Sequence, residues 1–430
     1  MISANFFFKT IDKLKFLTAE KLIGRNIQKY VNELDKYFSI NWKIRKEIHK
    51  NKLINFIKYS YQNVPYYNNI LSENLVKNIE KDIKYISDIP FINKEIIKKN
   101  FDNLINKKII AKKIYSCPSG GSTGEKVVIF YDDIAADKSS SITRFCRNRV
   151  RIPGKDLHFA SNFKKNFYFK ERIKENIKSF ILGRDNIFFS SLNEIDLELI
   201  IKKIKKYKPR LIHCHPSTML MILEYCKSKK EFFFFKYFES SGELLTDLDK
   251  KKIQNYFKCK VIQRYGQAEV GIIAYEFLND DLIYLMDNSI FCETINNEII
   301  VTNLDNRYMP LIKYQTGDLG ELHENEKGFF FKNITGRKHQ KINLNNKIYL
   351  THHIQDIFDH QIQNINLFQI KLGKDKKHIL FIYTEKINCK EEIVKRINFF
   401  FQDSFEIKFI NNKEQFVYQG ENLKFNYIIN

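Results

Sequence analysis

Glycine and proline are scarce, 15 and 7 among 430 residues. Collagen-like repeats and Pro/Gly-rich linkers are thereby excluded, and any glycine cluster becomes informative. Cysteine is thin as well: Cys117, Cys146, Cys214, Cys226, Cys259, Cys292 and Cys389 make an odd number with no CxxC pair. That excludes a disulfide scaffold and predicts a reduced, cytoplasmic protein. No apolar run approaches the roughly 18 residues of a spanning helix. The stretch FFFFKYF, Phe232 to Phe238, is short and reads as a buried strand. The start, MISANFFFKTIDKLKFLTAEKL, lacks the unbroken apolar core of a signal peptide and reads as an amphipathic helix, packed on the body or touching a membrane surface. Acid is in deficit, with 50 Asp and Glu against 72 Lys and Arg, a formal charge of +22. The bases are scattered through Asn-, Ile- and Phe-rich segments, the signature of biased composition. The reading is no specific nucleic-acid partner and at most peripheral membrane contact.

What is present is an ordinary hydrophobic share of 43%, enough for one large core or two domains. Lys43 to Asn106 reads as mainly helical, broken at NVPYYNN by Pro65. From Lys112, β-rich runs alternate with helical ones: KVVIFYD, then DIAADKSSSITRFCRNRV; PRLIHCHPS, then TMLMILEYCKSK; FFFFKYFESSGE, then LLTDLDKKKIQNYF; then KVIQRYGQAE. This alternation predicts an α/β body with a substantially parallel sheet and ligand sites at the strands' carboxyl ends. After about Ile290 the texture turns to strands and tight turns, and the last 90 or so residues suffice for a small α+β unit.

Against that scarcity of glycine, YSCPSGGSTGEKVVIFYD, Tyr115 to Asp132, stands out. It is not a Walker A loop, because Gly124 is followed by Glu125, Lys126 and Val127 with no hydroxyl after the lysine. Bare amides and hydroxyls at Ser119, Gly120, Gly121, Ser122, Thr123 and Gly124, with Lys126 adding charge, can wrap a polyphosphate. A long hairpin turn is the plain alternative. HCHPS, His213 to Ser217, alternates its histidines on one strand face without a second ligand pair, so core or pocket lining is preferred to a metal site.

Further on come SSGELL at Ser240 to Leu245, YGQAE at Tyr265 to Glu269, YQTGD at Tyr314 to Asp318, and ITGRKHQKINL with Arg337. Together and in this order these motifs resemble those of the adenylate-forming superfamily of acyl-CoA ligases, adenylation domains and luciferases, in its phenylacetate-CoA ligase-like or CapK-like branch. The resemblance runs from about Lys43 to the end. It implies a large N-terminal domain, residues 1–338, with mixed and parallel sheets and a β-rich part, and a small mobile α+β lid, residues 339–430. It further implies ATP, Mg²⁺ and, in many members, coenzyme A as cofactors. The partners implied are a small carboxylic acid and an acceptor that is CoA or an amine or hydroxyl, sugar-linked in surface-polysaccharide assembly.

Carried over residue by residue, the resemblance makes Ser119 to Gly124 the phosphate loop, and Ser241, Gly242 and Glu243 the segment along the adenine. Tyr265, with Gly266 and Gln267, becomes the stacking aromatic and its turn. Glu269 becomes the Mg²⁺ carboxylate, Asp318 the ribose acid, Arg337 the ribose and phosphate arginine, and Lys424, in ENLKFNYII, the catalytic lysine. His213, His215 and Ser217 border the acyl pocket. The chemistry suits these types: an acid attacking phosphorus approaches an anion, so cations must offset charge in the transition state, and one carboxylate accepts from both hydroxyls of a diol. The chain departs from the pattern at Lys126, where a proline is usual, at Ala268, where a hydroxyl is usual, and at His339 in the hinge; Leu423 stands where glycine usually precedes the lysine. A contrasting expectation is a non-catalytic basic binder of nucleic acid or membrane that keeps the fold.

Overall fold

The computed structural model describes residues 2–119, 127–150, 154–161, 179, 183–189, 192, 194–278, 280–335, 341–345, 347–351, 354, 357–362, 364–373, 377–412, 415–416, 418–419, 424–425 and 427–429. The chain opens with helices α1 (Ile2–Ile23), α2 (Ile27–Tyr37) and α3 (Trp42–Asn63). α4 (Pro65–Ile70) starts on the proline, where a missing N–H is harmless, and α5 (Glu73–Lys81) and α6 (Lys94–Lys99) follow. α1 lies on the body through Phe16, which joins the buried cluster beneath helix α7 (Asp133–Val150), and Ala19 is buried as well.

Strands β1 (Tyr115–Pro118) and β2 (Val128–Tyr131) form a separate antiparallel hairpin. The main sheet has eleven strands. β3 (Asp156–Ser161), β4 (Arg184–Phe189), β5 (Leu211–Cys214), β6 (Tyr237–Ser240) and β7 (Lys260–Gln267) run parallel. From β7 onward the sheet continues antiparallel through β8 (Gly271–Tyr275), β9 (Ile283–Leu285), β10 (Ile290–Ile295), β11 (Glu298–Asn303), β12 (Tyr314–Asn325) and β13 (Gly328–Thr335). The expected change of texture near Ile290 is this antiparallel half. Helices Glu194–Tyr207, Pro216–Ser228 and Asp247–Phe257 link the parallel strands and share one apolar cluster with them.

After β14 (Lys341–Leu344) and β15 (Lys347–Leu350), a second sheet combines β16 (Leu367–Lys371), β17 (His378–Tyr383), β18 (Phe405–Phe409) and β21 (Ile428–Ile429) around its own core, with helix Lys390–Phe401. β19 (Tyr418–Gln419) and β20 (Lys424–Phe425) pair as a short ribbon. The architecture is thus α/β with a separate small α+β sheet, as the motif order implied. Among the described residues no helix is long and apolar enough to cross a membrane.

One expectation fails. FFFFKYF is not a strand over its length, because β6 begins only at Tyr237. Its neighbour β5 starts at Leu211, in register with Tyr237, so the four phenylalanines have no ladder partner at their height. Phe233 and Phe235 are buried, whereas Phe232 and Phe234 face outward.

Candidate active site

The glycine-rich loop leaves from the β1–β2 hairpin. At its base Ser119 N–H donates to the Val127 carbonyl (2.7 Å) and Val127 N–H donates to Ser119 Oγ (2.9 Å). Ser119 is buried, so its hydroxyl serves first as a clamp on the loop ends. Gly120, Gly121, Ser122, Thr123, Gly124 and Lys126 lie outside the described residues, as do Arg337 and His339. Tyr131, at the end of β2, donates its hydroxyl to the Glu269 carbonyl (3.0 Å) and ties the hairpin to the YGQAE turn.

That turn ends β7 at a bulge, where the β7–β8 register shifts between Tyr265 and Gly266. A Cβ on Gly266 would stand 2.5 Å from the Gly271 carbonyl oxygen, which explains the glycine by close backbone approach. Tyr265 donates its hydroxyl to Asp318 Oδ2 (3.1 Å), and Gln267 Nε2 donates to the same oxygen (2.8 Å) and to the Thr316 carbonyl (2.9 Å). Burial, and then the Asp318 carboxylate, push the Tyr265 phenol well above its ordinary value, so it remains a donor. Gly317 sits at φ +71°, turning the chain so that Asp318 N–H meets Thr316 Oγ1 (3.1 Å). YGQAE and YQTGD, about 50 residues apart in the chain, thus share one hydrogen-bonded knot around Asp318.

Glu269 is buried and pairs with Lys94 (Nζ–Oε1 3.0 Å). Lys94 opens α6, whose first turn is capped by the Asn93 side chain accepting from Ile96 N–H. The preceding residue of this segment, Ile92, is stitched to the start of β12 by Ile92 N–H to Lys313 O (3.1 Å) and Gln315 N–H to Ile92 O (2.9 Å). One segment therefore brings a cation to Glu269 and braces the strand that carries Asp318. Sequence reasoning missed Lys94, which is one of 72 Lys and Arg; its only local signal is the capping asparagine before it.

Among the described residues no group of three or more His, Cys, Asp or Glu side chains could hold a metal. A single buried carboxylate, on a residue tied to the β1–β2 hairpin through Tyr131, nevertheless fits Mg²⁺, which takes one or two protein carboxylates and completes its shell with phosphate and water oxygens.

The residues expected along the adenine and those expected at the acyl pocket form one cluster. Glu243 accepts from Ser217 Oγ (2.6 Å) and from Ser217 N–H (2.9 Å) at the first turn of helix Pro216–Ser228, a favourable place for a carboxylate. Gly242, at φ +84°, lies against His215: a Cβ there would be 2.3 Å from the imidazole Cε1. Burial lowers the His215 pKa, so the ring is held neutral. His213 turns to Glu239 instead, with Nδ1–Oε2 at 2.8 Å. Lys424 lies in β20 opposite Gln419, and its side chain is outside the described residues.

The fold, taken by itself, is similar to that of solved acyl-CoA ligases. The structure of 2-hydroxyisobutyryl-CoA ligase in complex with 2-HIB-AMP and CoA in the thioesterification state matches with a TM-score of 0.56 and 14% identity, over 90% of each chain. Its open conformation matches with a TM-score of 0.54 over 90% of this chain and 91% of that one. The fold is that of the adenylate-forming enzymes. By sequence, the chain is similar to Protein CapK of Staphylococcus aureus, 25% identical over 315 residues, which span 68% of this chain and 67% of that protein. No family model matches the chain. The likeness to the adenylate-forming superfamily and to CapK, read from the motifs, is borne out by this fold and this relative.

Proposed function

We propose that the chain activates a carboxylic acid with ATP, forming an acyl-adenylate and pyrophosphate, and then passes the acyl group to a nucleophile. The observation that carries this reading is the Asp318 knot beside the Lys94–Glu269 pair, both next to the hairpin that holds the glycine-rich loop. Asp318, oriented by Tyr265 and Gln267, is suited to accept from both ribose hydroxyls. With its carboxylate held by Ser217, Glu243 acts on the adenine side by position, leaving backbone groups of Ser241 and Gly242 to face the base. Ser119 and Val127 hold the loop ends while residues 120–126 take the triphosphate. Glu269 would hold Mg²⁺, which supplies charge neutralisation to the phosphates. Lys94 keeps the Glu269 carboxylate compensated. In this reading Arg337 steadies the nucleotide and Lys424 reaches the α-phosphate when a lid of residues 339–430 closes over a large domain of residues 1–338.

The acceptor is CoA or an amine or hydroxyl. The similarity to CapK favours a place in capsule or surface-polysaccharide biosynthesis, in the cytoplasm. The test is ATP/pyrophosphate exchange dependent on added carboxylic acid. Exchange should stop in excess chelator. In Asp318→Ala, ATP affinity should fall by about 2 kcal/mol, roughly 30-fold, as two hydroxyls lose a charged acceptor. Exchange indifferent to added acids, or wild-type ATP affinity in that variant, refutes the reading.

A further inference from the structure

The face of the parallel sheet under α7 is apolar at Leu211, Tyr237 and Ile262, then changes character near the strands' carboxyl ends. There His158, His213 and Glu239 stand in one register row across β3, β5 and β6. Arg147 reaches down from α7 and donates to both Glu239 oxygens (Nε–Oε1 3.0 Å, Nη2–Oε2 2.5 Å), with Nη1 on His158 Nε2 (3.1 Å) and 3.6 Å from Asp156. Tyr275 donates to Glu239 Oε1 (2.5 Å), and His213 Nδ1 faces Oε2. Although burial opposes it, the Arg147 guanidinium holds the Glu239 carboxyl ionised, while burial keeps both imidazoles neutral. Arg147 and Tyr275 give Glu239 three donated bonds with His213 Nδ1 lying against Oε2, and Arg147 is matched by Glu239 and Asp156.

Arg264 then stands over. It lies two residues beyond Ile262, the register partner of Glu239, and directly opposite Tyr275, so it projects from this same face. It is half-buried, and its charge bears on His213. Among the described residues its side chain makes no hydrogen bond and no ion pair. A half-buried guanidinium beside an acceptor row that is already filled calls for an anion from outside the chain, and its planar fork matches a carboxylate or a phosphate.

We propose that the acid activated by this enzyme carries a second anionic group, and that Arg264 is the residue that selects it. This rests on the acid-activation reading above and names the substrate class within it. Plain fatty or aryl acids would leave this half-buried guanidinium without a counter-charge, so they are poor substrates.

The experiment is acid-dependent ATP/pyrophosphate exchange with acids matched in length: butyrate, succinate and 3-phosphonopropionate; hexanoate and adipate; phenylacetate and 4-carboxyphenylacetate. In at least one set the acid with a second anionic group should exceed its monoanionic counterpart in kcat/KM by roughly 10- to 100-fold, the scale of one charged hydrogen bond. Carboxylate and phosphonate are told apart within the first set. Arg264→Leu should remove that preference by raising KM for the dianionic acid, with KM for ATP unchanged, and Arg264→Lys should restore part of it. No preference for the acid with the second anionic group in any set overturns the proposal while leaving acid activation intact. Equal losses for all acids and for ATP in Arg264→Leu also overturn it, since that residue would then support the fold or the nucleotide. No exchange with any acid, while ATP still binds, defeats the activation reading and this inference with it.

Discussion

Replacing Lys94 by Met isolates what its pairing with Glu269 contributes. The two side chains are 12% and 5% exposed, so the pair is desolvated and removing one partner leaves a buried carboxylate uncompensated. Such a break costs about 3–5 kcal/mol, and Lys94, the more exposed partner, puts this case near 3. Unfolding entropy of about 2.1 cal/mol/K per residue over roughly 330 residues gives ~0.7 kcal/mol/K, so the midpoint should fall by ~4 °C. The double variant Lys94→Met, Glu269→Gln replaces the orphaned charge by a neutral amide and should recover most of that loss, a coupling of about 2 kcal/mol. Whatever else the lysine side chain touches is absent from both variants and cancels in the comparison. Scanning calorimetry on the wild type, both single variants and the double variant completes the cycle. A drop below about 1 °C in Lys94→Met, or a double variant as weak as the sum of its singles, would refute the claim that this pair is what makes a buried Glu269 tolerable.

Further outcomes are expected. Lys424→Ala should lower acyl-adenylate formation by roughly 10² or more, while transfer from synthetic acyl-adenylate survives; equal loss in both half-reactions would remove Lys424 from the site. His49, buried and hydrogen-bonded to the Ile290 carbonyl, is lowered by burial to about 4. The unfolded chain therefore binds the extra proton between about pH 6.5 and 4, and this contribution, about 3 kcal/mol, is complete above pH 6.5 and lost as pH falls through 4. Asp287, raised by burial to about 6, runs the opposite way in the same window, so the difference between wild type and His49→Gln is the quantity to follow. Urea midpoints at pH 7, 5.5 and 4.5 should show the variant gaining on the wild type as acid is added; a constant difference contradicts the assignment.

Much of the frame was legible because its periodicities are local. The helices Asp133–Val150 and Asp247–Phe257 coincide with runs that the sequence marks as helical, and the strand-to-helix alternation pointed to the parallel half of the sheet. Asp318 and Tyr265 were legible as motif members, but their mutual bond was not, since it depends on how β12 and β7 reach the same end of the sheet. Lys94 and Arg264 were invisible for a common reason. In a chain this rich in lysine and arginine, one cation has no spacing that marks it, and only burial and partners separate it from the rest. The phenylalanine run misled in the other direction, because hydrophobicity alone does not supply a ladder partner.

The Ser119–Val127 clamp has a practical consequence for engineering. The hairpin that bears the loop forms its own two-stranded sheet, and the reciprocal bonds at its neck fix the loop's ends independently of what lies between them. On the function proposed above, a library randomised across residues 120–126, with Ser119 and Val127 kept as anchors, is the place to seek altered nucleotide preference.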